Sequence, residues 1–350
     1  YLQLMKSLEI IKPDDWHVHF RNGNILKKIA PFTSKLYGRA IIMPNLIPPV
    51  TNRKMCIQYK DEIISNIEKS SNFIPCMTIY LTETTNINDL ISAYKNKDVF
   101  AVKLYPSGAT TNSIHGIKSF KKIMPILEAM EKNDIPLLIH GEISDKEVDI
   151  FDREKYFIDN VLTILINNFP NLRITLEHIT TSESVQFIYN CSNNVKATIT
   201  LHHLCNNRND MLGNGIKPHL YCMPILKRAS HQKKLIEAAT SGSEKFFYGS
   251  DSAPHLKKDK ESDCGCAGVF NTINSIQTLT QIFETQNSLN NLEKFVSQNG
   301  ASHYKLPFNK NKIKLIKKDE PLKFPEAINI NHEEIVVFKP NFNIYWHMYE

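Results

Sequence analysis

The stretch Asp15-Trp16-His17-Val18-His19-Phe20-Arg21 carries residues that could do chemistry. On a strand, alternate side chains share a face, so His17 and His19 point into the same space. Two imidazoles placed this way form half of a metal site. A pair of hydrogen-bonded core histidines would look the same, so the rest of the chain must decide. Further lone ionisable residues close otherwise apolar runs: Lys103, His140, His178 and Asp251. Four histidines, an aspartate and a lysine suggest two divalent cations, zinc by the preference of imidazole ligands. A charged lysine has only donors and is a poor neighbour for cations. If the Lys103 amine adds carbon dioxide, it becomes a carbamate with one negative charge and two oxygens able to bridge both ions. Water between two such ions becomes hydroxide near neutral pH. Asp251 would then take a proton from this nucleophile and return it to a leaving nitrogen.

These side chains need elements to position them. Short apolar runs alternate with helical stretches, the rhythm of βαβ units around a parallel sheet. Strands are expected to end at His19, Asn45, Leu81, Leu104, His140, His178, Leu201 and Asp251. Eight strand–helix repeats predict a (β/α)8 TIM barrel, whose strand C-termini converge on one mouth. The expected ligands all stand at such ends. Arg21 extends the face of His17 and His19, and its planar guanidinium suits bidentate capture of a carboxylate. Residues 202–224, rich in Asn, read as one long loop, and Thr181 or Ser182 as a helix cap. Two short strands, Lys312 to Ile316 and Glu334 to Phe338, follow the barrel.

Composition sets the class. The 350 residues are 42% hydrophobic and 22% charged, ordinary for a globular protein. The net charge of +6 is scattered, with no basic arm of the kind that binds nucleic acid. No apolar run approaches the ~18 residues of a membrane span, and no secretory-signal pattern is visible. Seven irregularly spaced cysteines fit reduced thiols in a cytoplasmic protein better than a disulfide framework. Cys264-Gly265-Cys266 could be a metal or redox pair, but reads better as a loop of small residues.

The words around these residues resemble the amidohydrolase superfamily, and within it the dihydroorotases of the single-function bacterial type. They include Asp14-Asp-Trp-His-Val-His, Tyr37-Gly-Arg-Ala-Ile-Ile-Met-Pro-Asn, Ala101-Val-Lys-Leu-Tyr-Pro and Pro136-Leu-Leu-Ile-His-Gly-Glu. Glu177-His-Ile-Thr-Thr, Tyr221-Cys-Met-Pro-Ile-Leu-Lys-Arg and Gly249-Ser-Asp-Ser-Ala-Pro-His complete the series. The resemblance implies reversible cyclisation of N-carbamoyl-L-aspartate to dihydroorotate, the third step of pyrimidine synthesis. It implies two zinc ions per subunit on His17, His19, carbamylated Lys103, His140, His178 and Asp251. Contacts to the substrate carboxylate fall on Arg21, Asn45 and His255, and backbone contacts to the ring on Met223 and Ala267. A loop after strand four, 107–113, would close over the substrate through Thr110 and Thr111. Residues 1–310 would form the amidohydrolase barrel and 311–350 a C-terminal extension packed on it, in a homodimer. Two other readings stand beside this one. A hydantoinase- or allantoinase-like enzyme shares the metal site without needing the carboxylate pocket, and a non-catalytic scaffold would need no metal.

Overall fold

The computed structural model describes residues 6–263 and 265–349, so Cys264 lies outside the described residues. Eight parallel strands pair in chain order: β2 (Asp15–Val18), β3 (Arg39–Ile42), β4 (Ile74–Tyr80), β5 (Ala101–Leu104), β6 (Leu137–His140), β7 (Ile174–Glu177), β8 (Val195–Ile199) and β9 (Phe246–Tyr248). Backbone bonds from Asp251 N to His17 O (2.9 Å) and from His19 N to Ser252 O (3.0 Å) join the last strand to the first, closing the barrel. The expected (β/α)8 TIM barrel is therefore present, and its closing seam is made by residues 17, 19 and 251 themselves.

Side-chain alternation divides the core. Ala101 and Leu138 point inward to pack with Trp16, Phe247 and Tyr304 at the lower end of the barrel. Val102, Leu104, Leu137 and Ile139 point outward beneath the helices. On β5 and β6 the next inward positions are therefore Lys103 and His140, above this apolar plug. The strands are buried on both faces, which is why they read as continuous apolar runs.

The covering helices include α1 (Gly23–Leu36), α2 (Arg53–Ser65), α3 (Ile87–Lys95) and α4 (Phe120–Lys132). Asn52 and Asn86 cap α2 and α3 by accepting from Met55 N and Asp89 N. A π turn, Ile158–Leu162, links α5 (Arg153–Phe157) to α6 (Thr163–Asn168). Thr181 caps α7 (Ser182–Asn190) by accepting from Ser184 N.

The long loop expected over 202–224 instead contains α8 (Leu201–Cys205) and α9 (Arg208–Leu212). Thr200 caps the first, and Asn207 with Asp210 forms a capping box on the second. The asparagines that suggested a loop mark a helix start. After α9 come α10 (Ala229–Thr240), α11 (Lys257–Lys260), α12 (Ser275–Thr285) and α13 (Asn299–His303).

Beyond the barrel, β1 (Ser7–Ile11) pairs antiparallel with β10 (Lys312–Lys317), which pairs with β13 (Trp346–Met348). β11 (Ala327–Ile330) and β12 (Glu333–Val336) form a hairpin. No described helix is long and apolar enough to cross a membrane.

Candidate metal centre and its cavity

His17 and His19 leave the top of β2, and Asp251 follows β9 across the closing seam. His17 Nε2 lies 3.2 Å from His19 Nε2 and from Asp251 Oδ1, and His19 Nε2 lies 3.1 Å from the same oxygen. Across the mouth, His140 Nδ1 stands 3.2 Å from His178 Nε2. The rings of His17 and His178 are 5.1 Å apart at their centroids, so the two groups form one cluster. Lys103 Nζ donates to Glu177, whose other oxygen lies 3.0 Å from His17 Nδ1. All six expected ligands are buried.

The donor set fits divalent cations. Spacings of 3.1–3.2 Å approach the edge of a tetrahedron with bonds of ~2.0 Å, about 3.3 Å. Glu142 Oε2 accepts from His140 Nε2 at 2.8 Å, which leaves the Nδ1 lone pair facing His178. The Glu177 carboxylate lies 3.0 Å from His17 Nδ1 as an ion-pair contact, and Nε2 of that ring faces Asp251 and His19. Carboxylates on the far ring nitrogen orient metal-binding histidines in this way. The Nδ1 atoms of His19 and His178 are buried without a hydrogen-bond partner.

The electrostatics follow from crowding. Burial works against charge on His17, but Glu177 and Asp251 outweigh it and push the imidazole up to about 9. Burial, reinforced by Arg21, pulls His19 down to about 3. His178 is held well below the ordinary range by burial and His140. Burial would raise the Asp251 carboxyl, yet His17 and His19 hold it well below the carboxylate range. Burial lowers Lys103, with Glu177 opposing in part, so its neutral amine becomes more accessible.

The cluster opens into a narrow cavity with about 20 Å3 of free volume. Every residue singled out from the sequence lines it except Lys103, fully buried, and His255. His255 Nε2 lies 2.9 Å from an Arg21 nitrogen and 3.0 Å from Ala267 O. Asn45 donates to Thr111 O (3.1 Å), and Thr111 Oγ1 donates to Ala267 O (3.3 Å), so loop 107–113 lies across the mouth. Met223 forms another wall.

Arg21 departs from its expected place. β2 ends at Val18, and Arg21 reaches the cavity from a turn into α1, with φ of 58°. His178 and Asp251 also have positive φ, 44° each. Three non-glycine residues of one site thus hold a sparsely populated backbone state, a pattern of functional clusters.

Glu142, Glu177 and Asp15 are supports that the sequence reading did not assign. Asp15 accepts from His17 N (3.1 Å), Ser250 N (2.8 Å) and Ser250 Oγ (2.6 Å), tying β2 to the segment before Asp251. The signal was available: each acid lies within two residues of an expected ligand. His202 and His203 are buried nearby with Cys222. His203 is held between Thr200 Oγ1 and Pro224 O, and His202 Nδ1 accepts from Asn271, while His202 Nε2 is buried without a hydrogen-bond partner.

Glu154 secures the turn that follows His178. It accepts from Thr180 N, Thr180 Oγ1, Thr181 N, Thr181 Oγ1 and Ser184 Oγ. Burial alone would raise its pKa, but Lys227 and these donors lower it below the ordinary 4.5. Its stabilisation is therefore full above that unfolded value and is lost as pH falls through the folded one. Glu154→Gln should cost about 2–4 kcal/mol at neutral pH. The difference from the parent should shrink in acid, and denaturant unfolding across a pH series measures both effects.

Comparison with known proteins agrees with this geometry. The amidohydrolase family matches residues 10–318. The dihydroorotase of Ruegeria sp. (strain TM1040) is 46% identical over 343 residues, covering 98% of this chain and 99% of the relative. That of Vibrio parahaemolyticus is 48% identical over 342 residues, with 98% and 99% covered. The crystal structure of dihydroorotase from Campylobacter jejuni superposes with a TM-score of 0.90 at 36% identity, covering 100% and 99%. Dihydroorotase from Saccharomyces cerevisiae, in complex with 5-fluoroorotic acid, gives 0.89 at 33%, covering 99% of each chain. The L-hydantoinase of Arthrobacter aurescens, at 0.76 and 15%, with 91% and 78% covered, shares the fold alone. With a family match over most of its length and dihydroorotase relatives aligned nearly end to end, this chain belongs to the amidohydrolase family and, within it, to the dihydroorotases.

Proposed function

We propose that the protein interconverts N-carbamoyl-L-aspartate and (S)-dihydroorotate plus water, the third step of pyrimidine synthesis. The observation that carries this reading is the presence of Arg21 and Asn45 in the wall of the cavity that the histidine cluster lines, with His255 against Arg21 at 2.9 Å. A ring amide placed against the cluster would set a ring carboxylate against Arg21. Yeast dihydroorotase, in complex with 5-fluoroorotic acid, supports the same substrate class.

Two zinc ions, held by His17, His19, His140, His178, Asp251 and carbamylated Lys103, would supply Lewis-acid activation of the carbonyl and a hydroxide nucleophile at neutral pH. The protein's own part is positioning and proton movement. In the hydrolytic direction, hydroxyl adds to the ring carbonyl carbon, the carbon–nitrogen bond breaks, and the nitrogen gains a proton. Asp251, ionised and within 3.2 Å of both histidines, accepts the proton from water and delivers it to that nitrogen. Arg21, Asn45 and His255 hold the carboxylate, Met223 and Ala267 border the ring, and Thr110 and Thr111 exclude water.

The test is a comparison of kcat/KM for dihydroorotate, hydantoin and allantoin. Dihydroorotate should be strongly preferred. Arg21→Met should cost about 2–5 kcal/mol on dihydroorotate, roughly thirtyfold to several thousandfold, and leave hydantoin nearly unaffected. Turnover of hydantoin equal to that of dihydroorotate would favour the carboxylate-independent alternative, and no zinc in freshly purified protein would favour the scaffold.

Residues 1–310 act on this reading as the catalytic unit and 311–350 as an extension. Buried thiols Cys56, Cys76, Cys205 and Cys222 suit a reducing cytoplasm. The family resemblance supports a homodimer, which sedimentation would detect as a species of twice the chain mass.

A further inference from the structure

Lys260 ends α11 in a run of charged residues, yet it is only 4% exposed. Its ammonium turns inward and donates to three backbone carbonyls: Tyr221 O (2.9 Å), Cys266 O (2.8 Å) and Gly268 O (2.6 Å). Two of these flank Ala267, and the third lies two residues before Met223. Lys260 therefore joins the two backbone segments that border the proposed ring site, while itself remaining outside the cavity lining.

The neighbouring geometry leaves little slack. Cys266 N donates to Asp259 O (3.1 Å) and Gly268 N to Tyr221 O (3.0 Å). Gly268 has φ of 153°, and a side chain there would meet Ala253 O at 2.5 Å. Ala267 O in turn contacts His255 and accepts from Thr111. Moving the 266–268 segment would thus disturb the ring wall, the carboxylate pocket and the loop contact together. A buried ammonium met by carbonyl dipoles is costly to keep. Burial lowers its pKa to about 8, with Cys222 and Cys266 opposing and Arg21 reinforcing.

We propose that Lys260 is a positioning residue for substrate recognition, acting through the backbone of Ala267 and Met223. This inference rests on the dihydroorotate reading, and the test separates the two. Lys260→Met keeps the aliphatic stem and removes the donors. In zinc-loaded protein it should raise KM for dihydroorotate about 10- to 100-fold. Affinity for orotate, an unreactive planar analogue, should weaken by the same factor, while kcat and zinc content stay near the parent's. Lys260→Arg, which retains charge and donors, should recover part of the loss. A purely structural role would lower the thermal midpoint and leave KM in place. A folded Lys260→Met with parental KM and orotate affinity overturns the proposal. If that variant is insoluble, Lys260→Gln is read by the same two constants. A parent protein without dihydroorotate turnover would count against the functional reading instead.

Discussion

Asp251→Asn is expected to lower kcat for dihydroorotate about 10²- to 10⁴-fold, the range for loss of a positioned general acid–base group. The substitution preserves volume and one acceptor oxygen, so the seam bond from Asp251 N to His17 O (2.9 Å) is untouched. What disappears is the negative charge that His17 and His19 hold ionised far into acid. The pH profile separates proton transfer from metal binding. With Asp251 present, activity should fall with acid as the carboxylate takes a proton. The variant should lack this limb and be uniformly slow while retaining zinc by elemental analysis. Low turnover with an unchanged acid limb and lost zinc would make Asp251 a ligand alone. Parental turnover would remove it from the chemistry.

The site was legible because of contrast. A strand buried on both faces tolerates polar groups only where they are satisfied, so Lys103 after Phe-Ala-Val and His140 after Leu-Leu-Ile stood out. Alternation then placed both on the inner face, as the packing of Val102, Leu104, Leu137 and Ile139 beneath the helices shows. What failed to show depended on distance or on local ambiguity. β1 pairs with β10, some three hundred residues away, and such a pairing leaves no local trace. Arg21 was assigned by strand alternation, but the chain had already turned into the left-handed region to start α1. Glu142 and Glu177 looked like ordinary acids, since orienting a histidine requires knowing which ring nitrogen faces outward. Lys260 was hidden among Lys257, Lys258, Asp259 and Glu261, a composition that reads as solvated surface.

Lys103→Ala should be at least as damaging, and for a different reason. Lys103 is fully buried, lies 4.7 Å from the centre of the Tyr105 ring and faces Glu177. As an ammonium it would repel cations held by the neighbouring histidines. As a carbamate it would set negative oxygens beside the Glu177 carboxylate, an arrangement that only nearby cations can offset. Carbamate and metal should therefore stabilise one another: a carbonyl signal from ¹³C-bicarbonate should appear in zinc-loaded protein and vanish on chelation. Removing the side chain should cost several kcal/mol of transition-state stabilisation, about three decades in kcat/KM or more. Loss of the buried stem opens space beside the cluster, so formate or acetate should restore part of the activity by supplying the missing carboxylate oxygens. The rescue should saturate with the acid's concentration and fail with neutral formamide or acetamide. Zinc-loaded parent protein with an unmodified amine, or a Lys103→Ala variant with parental turnover, would refute a bridging role. Rescue by the amides as well as the acids would reduce Lys103 to a space-filling residue.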